Sequence, residues 1–71
     1  MLLQNQLRRL RREKGLTQAQ LAQAVGVSRQ SIIAIEKGKY KPTVELALKL
    51  ARALECPVEE IFWLQESQGG K

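Results

Sequence analysis

Apolar side chains recur at Leu3, Leu7 and Leu10, the four-then-three spacing that lines one face of a helix. The pattern predicts a first helix over about Asn5 to Lys14, closed by Gly15, where a positive-φ residue ends the last turn. Thr17, with Gln20 three residues on, fits a capping box. Leu21, Ala22 and Val25 then give a second helix its inner face before Gly26 breaks it. Ser28 caps a third helix that runs to Lys37 and stops at Gly38. Lys39-Tyr40-Lys41-Pro42 reads as a loop. Thr43 caps a fourth helix reaching about Leu54. That helix carries two apolar stripes: Val44, Ala47, Leu48 and Ala51 on one, Leu46, Leu50 and Ala53 on the other. Two stripes predict burial on two sides, in the core and at a partner. A short fifth helix is expected over about Val58 to Phe62. Apolar Met1-Leu2-Leu3 and Ile61-Phe62-Trp63-Leu64 suit a short antiparallel strand pair joining the termini. The fold class is all-α, a bundle of five helices.

A chain of 71 residues has room for one core. A single domain over 1–66 is expected, with 67–71 as a mobile tail. Folds this small lean on disulfides, metals or oligomerisation. Cys56 is the one cysteine and there is no histidine, so an internal disulfide is excluded and a structural zinc site is poorly supported. Oligomerisation remains as the support. No segment approaches the roughly 20 apolar residues that span a bilayer, and no signal peptide is visible. With a lone thiol suited to a reducing compartment, the expected localisation is cytoplasmic.

Charge changes the picture. Twelve Lys/Arg oppose seven Glu for a net +5. From Met1 to Lys41, nine basic residues face only Glu13 and Glu36, whereas from Pro42 onward three face five glutamates. One end is therefore strongly positive, the electrostatic footprint of a nucleic-acid binder; a solvated face that keeps the protein soluble is the plainer alternative.

The second and third helices, joined through Val25-Gly26-Val27-Ser28, have the short glycine-containing turn of a helix-turn-helix. The motif spans about Thr17 to Lys37. Ala22 is small enough for close crossing, and Val27 and Ile32 can fill the angle. At about 100° per residue, Ile32 and Ile35 fall inward while Arg29, Gln30, Ile33, Ala34 and Lys37 face outward. No acid lies on that outer side. Arg can make paired bonds to guanine, Gln to adenine, and Ile or Ala can touch a thymine methyl. Arg29, Gln30, Ile33 and Ala34 are therefore the candidate base-contacting residues. Ile33 could equally pack on the first helix or a partner. Gln18, at the start of the second helix, can bond a phosphate or brace Arg29 or Gln30. Ser28, Lys37, Lys39, Tyr40 and Lys41 complete the candidate phosphate contacts.

The runs TQAQLAQAVG (Thr17 to Gly26), VSRQSI (Val27 to Ile32) and IEKGKY (Ile35 to Tyr40) resemble the Xre/Cro/C1 family of phage-repressor-type helix-turn-helix domains. The similarity covers about residues 4–62. It implies a five-helix lambda-repressor-like bundle and a homodimer on a palindromic operator. It also implies that Gln18 contacts phosphate and that Arg29 and Gln30 contact bases. Ala34 stands at a base-reading position of the family yet has no hydrogen-bonding group. The family often pairs an arginine of the first helix with a glutamate ending the recognition helix. Arg11 and Glu36 match, and a half-buried carboxylate needs a partner. Pro57 replaces the Ser or Thr usual before the fifth helix and supplies no capping side chain. Among subgroups, the chain looks closest to the compact cytolysin-operon repressors, whose helices are extended by a strand pair and which dimerise through the C-terminal region. Leu50, Leu54, Phe62, Trp63 and Leu64 are the candidate dimer contacts, although Trp63 could instead close the monomer core. The functional expectation is a sequence-specific double-stranded DNA-binding regulator. A repressor acting by occupancy is favoured because the chain shows no second, ligand-sensing domain. The other reading is an antitoxin-like protein-interaction module. No cofactor is expected. A third reading, an enzyme, is disfavoured by the lack of His, of Asp, of a phosphate-cradling glycine loop and of a cysteine with a nearby base.

Overall fold

The computed structural model describes residues 2–66. The elements follow as β1 (Leu2–Asn5), α1 (Leu7–Glu13), α2 (Gln18–Val25), α3 (Arg29–Glu36), α4 (Val44–Leu54), α5 (Val58–Ile61) and β2 (Phe62–Gln65). The expected tail over 67–71 lies outside the described residues.

The caps read from sequence form as hydrogen bonds. Thr17 Oγ1 accepts from Gln20 N–H at 3.0 Å while Gln20 Oε1 accepts from Thr17 N–H at 2.9 Å. Ser28 Oγ accepts from Ser31 N–H, and Thr43 Oγ1 from Leu46 N–H. Gly26 ends α2 at φ 77°, a conformation that costs an L side chain about 1–2 kcal/mol. It turns the chain so that α3 crosses α2. α4 ends without glycine: Glu55 takes the left-handed position at φ 57°. Its carboxylate reaches Lys14 Nζ, and that hydrogen bond, then the lysine's charge, hold it below its usual pKa.

Helix ends differ from the periodicity by one or two residues, and two of the shifts are made by the strands. The first helix begins at Leu7, not Asn5, and Leu3 belongs to β1. The fifth ends at Ile61, and Phe62 opens β2. Strand pairing outweighs local helical spacing here. β1 and β2 run antiparallel with Leu3 opposite Leu64 and Asn5 opposite Phe62. The Gln6 N–H donates to Ile61 O at 3.0 Å.

The core joins Leu7, Leu21, Ala22, Val25, Ile32, Ile35, Leu46, Leu50, Leu54 and Ile61, with Val27 and Phe62 packed against it. At about 25 cal/mol per Å² of buried apolar surface, these residues supply the main favourable contribution to folding. Only one of the two stripes on α4 is covered. Leu46, Leu50 and Leu54 are buried, while Val44 and Leu48 are exposed. Leu50 and Leu54, expected at a partner, are 0% and 3% exposed. Their side chains are spent in the monomer core and offer no area to a second chain. This corrects the assignment of both as dimer contacts. Trp63 and Leu64 remain 40% and 62% exposed. No helix among the described residues is long and apolar enough to cross a membrane.

Candidate nucleic-acid interface

α3 buries Ile32 and Ile35 and leaves Arg29, Gln30 and Lys37 exposed, with Ile33 and Ala34 half-buried beside them. Ile33 lines a groove of about 660 Å³ with Arg29 and Lys37 from its own helix, Arg8 and Arg12 from α1, and Gln18 and Ala19 from the start of α2. Its side chain thus sits where α3 meets α1 and α2, rather than at the tip of the reading face.

An ion pair forms the floor of this groove. Arg11 Nε donates to Glu36 Oε2 at 2.6 Å and Arg11 Nη2 to Oε1 at 3.3 Å. The side chains are 9% and 5% exposed. A third bond from Arg11 Nη1 reaches Leu16 O at 2.7 Å. The arginine therefore fixes the end of α3 and the loop before α2 at once. Gln18 Nε2 donates to Glu36 Oε1 at 3.1 Å. Among the described residues the Gln18 amide makes no bond to Arg29 or Gln30, and its donor is spent on the buried carboxylate instead. Gln18 keeps its amide oxygen and one amide hydrogen uncommitted. The first N–H groups of α2 also lack intrahelical partners and carry the positive end of the helix dipole.

The distribution of ion pairs separates structural cations from available ones. Arg9 pairs with Glu13 and Lys14 with Glu55. Among the described residues no ion pair involves Arg8, Arg12, Arg29, Lys37, Lys39 or Lys41. Four of these six line the groove, and the other two follow α3. The two glutamates of the basic half are both neutralised, Glu13 by Arg9 and Glu36 by Arg11. The surface thus presents positive charge with no competing carboxylate. Sequence alone leaves Arg8, Arg9, Arg12 and Lys14 equally free to touch phosphates, because a run of basic residues on a helix does not say which ones are paired. Ser28 Oγ is occupied as the α3 cap and lies 3.1 Å from Ser31 Oγ. Tyr40, Lys39 and Lys41 are exposed just beyond α3. Among the described residues, no cluster of three His, Cys, Asp or Glu side chains could hold a metal.

The helix-turn-helix family HTH_3 matches residues 7–61. The uncharacterized HTH-type transcriptional regulator YgzD of Bacillus subtilis is 44% identical over 64 residues, 90% of this chain and 97% of its own. The cryptic phage CTXphi transcriptional repressor RstR of Vibrio cholerae is 35% identical over 57 residues, 80% of this chain and 51% of its own. Among solved structures, the restriction-modification controller protein C.AhdI of Aeromonas hydrophila superposes with a TM-score of 0.72 at 39% identity. That superposition covers 76% of this chain and 82% of the other.

Proposed function

Because the chain belongs to the helix-turn-helix family HTH_3, DNA-binding transcription regulators that are not enzymes, we propose that it is a repressor. In this reading it occupies a palindromic operator as a homodimer and sets α3 in the major groove. The observation that carries the reading is the cation-lined face of α3 at the groove against α1 and α2, where the one acid, Glu36, is buried and paired with Arg11. Arg29 and Gln30, at the N-terminal end of α3, have the donors that guanine and adenine edges accept. Ile33 and Ala34 supply apolar contact behind them. Gln18 and the first N–H groups of α2 hold one phosphate. Arg8, Arg12, Lys37, Lys39, Tyr40 and Lys41 track the backbone on either side, and Ser28 adds a hydroxyl at the α3 cap. Repression by occupancy needs nothing beyond such a complex, and the likeness to the RstR repressor favours that outcome. In this reading the protein works in the cytoplasm.

Selection of duplexes from a random pool tests the proposal. The expected consensus is two-fold symmetric, with half-site centres about 10–10.5 bp apart, one turn of DNA or about 34 Å. An asymmetric consensus would remove the homodimer. Absence of any consensus, with binding insensitive to salt, would favour a protein-interaction module instead.

Two further outcomes follow. Lys39→Ala or Lys41→Ala weakens selected and scrambled duplexes alike, and each lowers the slope of log K against log salt by about 1. Titrations at four or five salt concentrations measure it. For the dimer, Phe62, Trp63 and Leu64 are the contacts proposed. Replacing Trp63 and Leu64 together by glutamate puts like charges across the two-fold contact. It should turn a dimer into a monomer in sedimentation equilibrium while the helical circular dichroism is retained. A wild-type chain that is monomeric at high concentration would contradict this interface.

A further inference from the structure

We propose that Asn5 is a positioning residue that ties the recognition helix α3 to the terminal strand pair, so that the state of the sheet is felt at the DNA-reading face. The inference rests on the DNA-binding role given above. Asn5 ends β1 and pairs with Phe62 of β2. Its Nδ2 donates to Ile35 O at 3.0 Å, thirty residues away in sequence, and its Oδ1 accepts from Leu7 N–H at 3.0 Å. One half-buried amide therefore starts α1, closes the strand and holds the last turn of α3.

The orientation of this amide is fixed by its neighbours. Rotating it by half a turn would set its oxygen against the Ile35 carbonyl and its NH2 against the Leu7 N–H. Both contacts would become repulsive, so only one rotamer satisfies the site. The acceptor matters as well. Ile35 O is among the last four carbonyls of α3, which have no intrahelical donor. It also accepts from Gly38 N–H at 3.0 Å. Those two donors use both lone pairs. The last turn of α3 leads directly into Lys37, Lys39, Tyr40 and Lys41, and it bears the Glu36 carboxylate that Gln18 and Arg11 share. A shift at Asn5 therefore acts on the phosphate-contacting segment and on the floor of the groove together.

The sheet is well placed to pass such a shift on. Next to Asn5, the Gln6 N–H is bonded to Ile61 O and its Nε2 to Glu60 O, so β1, the start of α1 and the end of α5 are tied together. Two arrangements of one packed element are what coupling between distant sites requires. Docking of a second copy on Trp63 and Leu64 would bear on β2, and through the Asn5–Phe62 pair on α3.

The test uses Asn5→Asp and Asn5→Ser. Both residues keep a side-chain oxygen able to accept the Leu7 N–H; aspartate has no donor, and serine has only the hydrogen on that same, shorter-reaching oxygen in place of the separate Nδ2. Asn5→Ser also leaves the charge unchanged, and it serves as the second variant if the added carboxylate impairs folding. The ratio of affinities is measured for a duplex selected by the wild-type chain and for a scrambled duplex of equal length. Amide hydrogen exchange is measured at Gly38 and Leu21 without DNA. The expected ratio falls roughly two- to thirtyfold, the range for residues that modulate a site without touching its ligand. Gly38 exchanges faster while Leu21 does not. An unchanged ratio, unchanged Gly38 exchange, or a loss accounted for by unfolded protein would overturn the inference. A wild-type chain without duplex preference would remove the DNA reading, and the Gly38 exchange would still decide whether Asn5 holds α3.

Discussion

Replacing Arg11 with alanine is expected to lower the free energy of unfolding by about 3–5 kcal/mol, because it leaves a buried carboxylate without its charged partner. Glu36 would keep only the Gln18 amide, and Leu16 O would lose its donor. Marginal stability makes the loss decisive. At roughly 0.05–0.15 kcal/mol per residue, a domain of 71 residues has about 4–11 kcal/mol in all, so a large share is lost. Urea titration should therefore find the midpoint of the variant shifted to much lower denaturant at an unchanged slope. The companion experiment replaces both members, Arg11→Met with Glu36→Leu. Removing the desolvated pair whole leaves no orphaned charge, so the double variant should recover most of the lost stability. A single variant within about 0.5 kcal/mol of wild type would mean that the pair is effectively solvated, against its burial.

Arg29→Ala is the larger effect on function. The loss of a bidentate base contact costs about 1–3 kcal/mol, roughly 5- to 150-fold in affinity for the selected duplex. The loss should concentrate at one base position per half-site, where discrimination relaxes. Binding to scrambled DNA should weaken much less, by the amount of one lost phosphate-proximal charge. Arg29 is exposed and makes no ion pair among the described residues, so stability should stay within ±0.5 kcal/mol of wild type. The contrast with Arg11 is sharp: one arginine fails by unfolding and the other by misreading. Competition binding against a panel of single-base variants of the site resolves the two effects.

Much of this site was legible before the fold was known. Caps at Thr17, Ser28 and Thr43 and breaks at Gly26 and Gly38 are local chemistry, and local chemistry survives folding. The outward placement of Arg29 and Gln30 follows from helical periodicity once Ile32 and Ile35 are assigned inward. The Arg11–Glu36 pair came from family likeness together with the rule that a half-buried carboxylate needs a partner. Long-range competition was harder to read. Leu3 and Phe62 fit a helical spacing as well as the expected strand pair, and the pairing across almost the whole chain claims both. Two stripes on α4 looked equivalent, and only three-dimensional packing shows that Leu50 and Leu54 are core while Val44 and Leu48 face solvent. Gln18 could have braced several groups, and its choice of Glu36 depends on where a residue eighteen positions later comes to rest. Asn5 carried a usable signal, an Asn two residues before the first helical N–H. Its second bond, to Ile35 O, had none.

Methylation interference on the selected duplex tests most directly whether α3 reads the major groove. A methyl group at guanine N7 lies in the major groove, whereas one at adenine N3 lies in the minor groove. The account predicts that N7 methylation at one or two guanines per half-site blocks binding, and that Arg29→Ala abolishes the block at one of them. Interference confined to adenine N3, or a wild-type pattern that Arg29→Ala leaves intact, would contradict it.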